Sequence, residues 1–116
     1  MAFNGKEGKP ITLGQAKRWT KRYRDEHPGE VKAYFFGRDH IEQLLNERSK
    51  DGASKGIRIY FAVDDDGKKR LILVAATENQ NNILPTDEGK DAPATIIDDG
   101  SGCPPDCPKD PNDPLS

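Results

Sequence analysis

Cysteine, histidine and long apolar runs are scarce in this sequence. Its 116 residues include two cysteines and two histidines. No apolar run approaches the ~20 residues of a transmembrane helix, and the first ten residues contain no apolar segment typical of a secretory signal. We therefore expect a cytoplasmic protein with no membrane partner. Both cysteines, Cys103 and Cys107, lie near the C-terminal end, so no disulfide framework holds the rest of the chain together.

Familiar catalytic motifs are absent as well. The chain has no Ser/His/Asp order, no phosphate-binding glycine loop and no paired carboxylates in an apolar setting. The aspartates at 64–66 belong to a turn and lack the spacing of a calcium-binding loop. Arg38, Asp39 and His40 could form a small polar site, but Asp39 as a helix N-cap explains that pattern without catalysis. We therefore predict no catalytic residues and no enzymatic activity.

Apolar residues are concentrated in the first two thirds of the chain. They make up 26 of the 69 residues from Lys9 to Thr77, but only 9 of the 39 residues from Glu78 onwards. A chain of this length forms one domain at most. We predict a flexible N-terminus at residues 1–10, an α+β domain at 11–84, and an extended, largely disordered, acidic and proline-rich tail at 85–116.

Charge divides the chain at nearly the same position. Residues 1–77 carry 16 Lys and Arg against 11 Asp and Glu (net +5), whereas residues 78–116 carry 2 against 9 (net −7). This asymmetry indicates an acidic tail that docks on a partner or folds back on the basic body. The alternative is that the acidic residues only keep the tail in solution.

The clearest structural signal is a β-hairpin at Gly56–Thr77, with its turn at 65–67. The second strand, 71–77, is apolar on both faces, as in a central strand. Such a sheet needs cover from helices, from residues 83–84 and 94–97, or from a second chain. The first strand alternates, and we predict that its odd-numbered residues are buried: Ile57, Ile59, Phe61 and Val63.

Two helices and a short strand precede the hairpin. Thr12 and Gln15 predict a capping box at the start of a helix at 13–26. Residues 31–36 predict a strand, and Asp39 predicts the N-cap of a second helix that runs to about Lys50. One helix over 31–50 is the alternative, which Gly37 disfavours by ~1 kcal/mol.

The predicted fold class is therefore α+β. We expect a small single domain in the order helix, strand, helix and β-hairpin, with the helices packed on an antiparallel sheet.

The first helix carries a row of basic residues, which we call the basic row. Beside Trp19 and Tyr23, it could meet the phosphates of a nucleic acid or a protein partner. The overall pI of about 5.7 argues against nucleic acid, so a nucleic-acid accessory role is a secondary hypothesis. An ordinary solvated helix face is the simpler interpretation. The candidate partner-binding residues are Lys17, Arg18, Lys21, Arg22 and Arg24.

The segment Cys103-Pro-Pro-Asp-Cys107 is the most distinctive motif. Two thiolates at this spacing can bind a soft metal such as zinc, but a closed site needs about four ligands, and His27 and His40 have no ligand spacing. A disulfide is a second possibility, which a reducing cytosol disfavours. A proline-ordered recognition segment is the third. We predict no cofactor, with zinc or another soft metal only in the alternative of metal or redox handling.

The segments ITL, FFGRDHIEQLL, GIRIYFA and LILV, with a Gly-rich tail that contains CPPDCP, resemble a small uncharacterised bacterial protein family. The resemblance covers residues 11–108, and the CPPxCP tail is its most specific part. It implies no activity, ligand or catalytic residue. From the residues themselves we expect a non-enzymatic binding or interaction protein, with a protein partner or self-association.

Overall fold

The computed structural model describes residues 2–85 and 94–116. Residues 86–93 of the predicted tail lie outside the described residues. Two helices and antiparallel strands confirm the predicted α+β class. In chain order the elements are α1 (Leu13–Glu26), β1 (Ala33–Phe35), α2 (Arg38–Leu45), β2 (Arg48–Ser49), β3 (Gly52–Val63), β4 (Lys69–Thr77), β5 (Asn82–Ile83) and β6 (Ser101–Cys103).

The chain forms two compact units, and each is assembled from two separate segments. The hairpin unit comprises Met1–Glu7 and Phe36–Gly100, and the tail unit comprises Gly8–Phe35 and Ser101–Ser116. The hairpin unit contains α2 and a four-stranded antiparallel sheet in the order β2-β3-β4-β5. The tail unit contains α1 and the antiparallel pair β1-β6.

The core of the hairpin unit lies at the end of the sheet away from the β3–β4 turn. Leu44 of α2 and Ile83 of β5 are fully buried there, against Leu73 and Ala75 of β4. Ile97 joins this cluster and exchanges backbone hydrogen bonds of 2.9 and 3.0 Å with Leu73. Burial of a Leu or Ile side chain contributes about 1.5–3 kcal/mol. The face of the sheet that carries Leu73 and Ala75 is therefore covered by α2 and by the segments around Ile83 and Ile97.

A buried carboxylate fastens the segment before Ile97 to the end of α2. Glu47 is almost fully buried, and its Oε2 accepts hydrogen bonds from the backbone N–H of Thr95 (3.0 Å) and from its hydroxyl (2.6 Å). Oε1 has no hydrogen-bond partner among the described residues. Oε2 of Glu47 therefore provides an acceptor for both donors of the partly buried Thr95.

Helix α1 has the predicted bounds and the predicted capping box. The Thr12 hydroxyl accepts from the backbone N–H of Gln15, and the Gln15 side chain accepts from the N–H of Thr12. Two of the free donors of the first turn are thereby satisfied.

Helix α2 differs from its prediction at both ends. Its N-cap is Gly37, and Asp39 lies within the first turn, so Asp39 does not cap the helix. The helix ends at Leu45 because Arg48 and Ser49 form β2, which pairs with the first residues of β3. The predicted extension of α2 to about Lys50 is therefore wrong. A tertiary strand pairing overrides the local helical pattern there.

The hairpin is present, but most of its predicted buried face is exposed near the turn. Ile57 packs against the core, whereas Ile59, Phe61 and Val63 are 53%, 91% and 68% exposed. The alternation correctly predicts one shared face, since the paired residues of β4 continue that face. The prediction of burial is wrong for these three residues because α2 and Ile97 cover only the far end of the sheet.

In the tail unit, part of the predicted tail is a strand. Ala33 pairs with Cys103, Tyr34 with Gly102 and Phe35 with Ser101. The backbone N–H of Lys32 also donates to the carbonyl oxygen of Cys103 (2.8 Å). Residues 101–103 thus supply the only strand partner that β1 has among the described residues.

One carboxylate joins two turns at the end of the sheet. Asp51 accepts hydrogen bonds from the buried Thr77 hydroxyl (2.5 Å) and from the side-chain amides of Asn79 and Asn81 (both 3.2 Å). These bonds, that of Thr77 first, lower the pKa of Asp51 below its usual value of 3.8. The ionised carboxylate therefore fastens the β4–β5 turn to the β2–β3 turn.

Low pH is expected to weaken this connection. Folding lowers the pKa of Asp51, so the ionised carboxylate stabilises the folded state. This stabilisation is complete at pH values above the usual pKa of an Asp side chain, and it is lost as the pH falls through that pKa and below it. Asp51→Asn should be less stable than the wild type at about pH 6, and the difference in the free energy of unfolding should narrow towards about pH 3. Urea denaturation at several pH values measures it. Asp65→Asn removes the same charge from an exposed turn position and serves as the control. A difference for Asp51→Asn that does not change with pH would contradict this account.

Candidate interaction surface

Much of the basic row is engaged within the tail unit itself. Lys21 pairs with Asp25 (2.7 Å) and Arg22 with Glu26 (3.1 Å), both one helical turn further along α1. Arg24 donates to the carbonyl oxygen of Leu115 (2.9 Å). Exposed pairs of this kind contribute about 0.3–0.5 kcal/mol each, so they order the side chains more than they stabilise the helix.

Residues 101–116 contact the rest of the tail unit through the β1–β6 pairing and through the bond from the Arg24 guanidinium to the Leu115 carbonyl oxygen. The carboxylates of Asp110 and Asp113 accept from backbone N–H groups two residues later and so stabilise local turns. In the hairpin unit, acidic residues of the predicted tail do meet a basic residue of the predicted body, since Arg70 forms ion pairs with Asp98 (3.6 Å) and Asp99 (3.3 Å).

The structure joins Cys103 and Cys107 in a disulfide, with a Cα–Cα distance of 4.6 Å. Cys103 is buried in β6. Disulfide sulfur atoms are not the thiolates that bind metals, so the metal alternative applies only to the reduced chain. Within residues 2–85 and 94–116, no group of three or more His, Cys, Asp or Glu side chains could hold a metal ion.

A cavity of about 310 Å³ lies in the hairpin unit between N-terminal residues and β3. Its Arg58 guanidinium lies 5.5 Å from the centre of the Phe3 ring and donates to the side-chain oxygen of Asn82 (2.5 Å), whose nitrogen donates to the Tyr60 hydroxyl (2.8 Å). The Glu7 carboxylate accepts from nearby backbone N–H groups, that of Asn4 first, which lowers its pKa. The Arg58 guanidinium and the Glu7 carboxylate are thus already engaged within the fold.

The outer edge of β3 is unpaired over most of its length among the described residues. On that side β2 pairs only with Gly52 and Ala53, and beyond Ser54 no described strand covers the edge. Strand β3 also contains a register shift between Ser54 and Gly56 and is regular from there to Val63.

The hydrogen bonds of β4 show which residues of β3 face outwards. Leu73 exchanges both of its backbone bonds with Ile97, on the side away from β3. Its partner Ile59 must therefore direct its N–H and C=O away from β4, since opposed pairs in an antiparallel ladder alternate between bonded and non-bonded. The bond from Asp64 N–H to Lys68 C=O (2.9 Å) agrees, because it places an even-numbered residue in the bonded set.

Four residues therefore present their backbone groups at the free edge. They also carry the apolar side chains of the odd-numbered face, three of which are more than half exposed. None of them is proline or charged, which are common devices for protecting a sheet edge. We call this set the β3 edge: Ile57, Ile59, Phe61 and Val63.

Comparison of the chain with protein-family models, with curated proteins and with solved structures finds no match. The resemblance to a CPPxCP family therefore stays a prediction. In the part of the chain that the structure describes, neither helix has the length and apolar character needed to cross a bilayer.

The β3 edge was not predicted as a site from the sequence. Its residues look like ordinary core positions because their alternation is that of a half-buried strand. The usable signal was the amount of apolar surface on the two hairpin strands, which exceeds what one hairpin can cover and suggests further segments or a second chain.

Proposed function

We propose that this chain is a non-enzymatic interaction protein that adds an extended segment of a protein partner to the β3 edge. One observation carries the proposal: four residues of one strand offer free backbone groups, and three of them, Ile59, Phe61 and Val63, also offer exposed apolar side chains. In β-strand addition, backbone hydrogen bonds supply affinity and alternate side chains supply selectivity. A partner segment with apolar residues at every second position would match this edge.

We also propose that the tail docks on the body of the same chain. Its docking on the body is supported by the pairing of β6 with β1 and by the bond from Arg24 to Leu115. We place the protein in a bacterial cytoplasm, where the bond between Cys103 and Cys107 would be open to reduction. Metal or redox handling by the reduced cysteines, and nucleic-acid binding through the basic row, are the alternatives to this function.

A peptide with the sequence of residues 56–63 provides a defined probe for strand addition. We expect the fluorescently labelled peptide to bind the wild-type chain saturably in an anisotropy titration. Phe61→Lys should weaken binding at least about tenfold, because burial of a Phe side chain contributes ~1.5–3 kcal/mol and 1.4 kcal/mol corresponds to a factor of ten.

Two controls make this titration specific. Phe35→Lys makes the same change at a 70% exposed position of β1, which contributes no residue to the β3 edge, and should leave the affinity within about twofold. A peptide with proline in place of the residues equivalent to Ile59 and Phe61 lacks the required N–H donors and should not bind. Absence of saturable binding to the wild type, or equal binding by Phe61→Lys, would overturn the proposed function.

A further inference from the structure

We propose that the segment added to the β3 edge is β3 of a second copy of this chain, antiparallel and centred on Tyr60. This inference rests on the proposed function and names its partner. Each Tyr60 would lie on the two-fold axis, opposite the partner's Tyr60. The two sheets would then join through their β3 strands into one continuous antiparallel sheet. A two-fold pairing of identical edges is closed, so it ends at a dimer.

This register uses every outward-facing residue of both chains. Ile57 lies opposite the partner's Val63, and Ile59 lies opposite the partner's Phe61, with the reciprocal pairs on the other side of the axis. Each of these four pairs is of the kind that exchanges two N–H···O bonds. All free N–H and C=O groups of the β3 edge are thereby satisfied.

Neighbouring registers leave part of the edge unused. Centring on Phe61 places Ile57 opposite the partner's Asp65, which belongs to the turn beyond the strand. Centring on Ile59 places Val63 opposite the partner's Lys55, where the register of β3 shifts. Only the register centred on Tyr60 pairs the whole regular stretch with itself.

The charges of the strand favour the same register. Arg58 lies opposite the partner's Ala62, so no like charges oppose each other. The acidic turn that follows Val63 reaches the level of the partner's Lys55, so Asp65 and that lysine lie opposite each other. Both are exposed in the single chain and carry opposite charge.

Burial of apolar side chains also favours formation of the dimer. Residues directly opposite each other in a sheet point to the same face. Phe61, the most exposed large apolar side chain, would therefore lie beside the partner's Ile59, and Ile57 beside the partner's Val63. The apolar rows of the two β3 strands thereby lie side by side on one face of the joined sheet.

A cysteine on the axis tests the register directly. In the proposed dimer the two residues at position 60 form a non-bonded pair with Cβ atoms about 4.5–5.5 Å apart, close enough for a disulfide after small adjustment. Tyr60→Cys should yield a covalent dimer on mild oxidation. Ala62→Cys is the matched control: its two copies would lie about 13 Å apart along the strands and should not cross-link. Cross-linking of Phe61→Cys or Ile59→Cys in preference to Tyr60→Cys would refute this register.

Self-association is measured independently by sedimentation equilibrium and amide exchange. We expect a concentration-dependent dimer that Phe61→Lys weakens at least about tenfold. The amides of Ile57, Ile59, Phe61 and Val63 should become protected as the dimer forms. Those of Arg58, Tyr60 and Ala62 face β4 and should be equally protected at all concentrations.

The outcomes separate the two proposals. A wild-type chain that stays monomeric and still binds the 56–63 peptide would refute the second copy as partner and leave strand addition intact. A chain that neither dimerises nor binds the peptide would refute both. A dimer in which the four edge amides stay unprotected would place the interface elsewhere and refute this inference.

Discussion

Leu44→Ala is expected to lower the free energy of unfolding by about 2–5 kcal/mol. Leu44 is the fully buried residue of α2 in the core of the hairpin unit, and the partly buried Ile41 of the same helix packs against that core. Truncation removes its transfer free energy and leaves a cavity against Leu73 and Ile83, which are held by strand pairing and cannot easily move into the space. Small domains have total stabilities of only about 5–15 kcal/mol, so this loss is large.

The neighbouring residue gives a matched control for this variant. Leu45 lies in the same turn of α2 but is 48% exposed. Leu45→Ala removes the same atoms at the same intrinsic helix propensity, and we expect a loss of about 1 kcal/mol or less. Urea denaturation followed by far-ultraviolet circular dichroism measures both variants. Equal losses would show that α2 does not contribute to the core through Leu44.

Gly100→Ala is expected to destabilise the hairpin unit by about 1–3 kcal/mol. A Cβ atom at Gly100 would lie 2.7 Å from Cζ and 2.8 Å from Cε2 of Phe36, well inside normal contact distance. The Phe36 ring packs against the core cluster, so it cannot swing away without loss of apolar contact. The single added methyl group therefore acts on the core through an aromatic ring.

Gly56→Ala and a second-site variant test that mechanism. A Cβ atom at Gly56, in β3, meets no atom within 4 Å, so Gly56→Ala should have little effect. Phe36→Leu removes the atoms that clash, and in the Phe36→Leu background Gly100→Ala should cost much less. A double-mutant cycle measured by urea denaturation gives this coupling. Additive effects would show that the clash with Phe36 does not cause the loss.

The sequence predicts those helices and strands whose bounds are set by residues close together in the chain. The capping box of Thr12 and Gln15 fixes the start of α1, and the apolar character of 71–77 on both faces identifies β4 as an inner strand. Both features arise from residues close together in the chain. The end of α2 was missed because it depends on the pairing of Arg48 and Ser49 with β3.

The candidate site depends on information that local patterns do not contain. Whether Phe61 is buried is decided by where α2 and Ile97 cover the sheet, and whether β3 is an edge strand is decided by strand order. The pairing of β1 with β6 is likewise set by contacts between distant residues. The basic row could be identified from sequence, but its bonds with Asp25, Glu26 and Leu115 could not.

The interleaving of the two units has a consequence for biosynthesis. Strand β1 is synthesised before any residue of Phe36–Gly100, whereas its partner β6 is synthesised after that whole segment. At about 5–20 residues per second, the delay is on the order of several seconds. During this interval the hairpin unit can form its sheet while Ala33–Phe35 has no strand to pair with. Translation therefore imposes an order of assembly, in which the tail unit is completed after the segment that interrupts it.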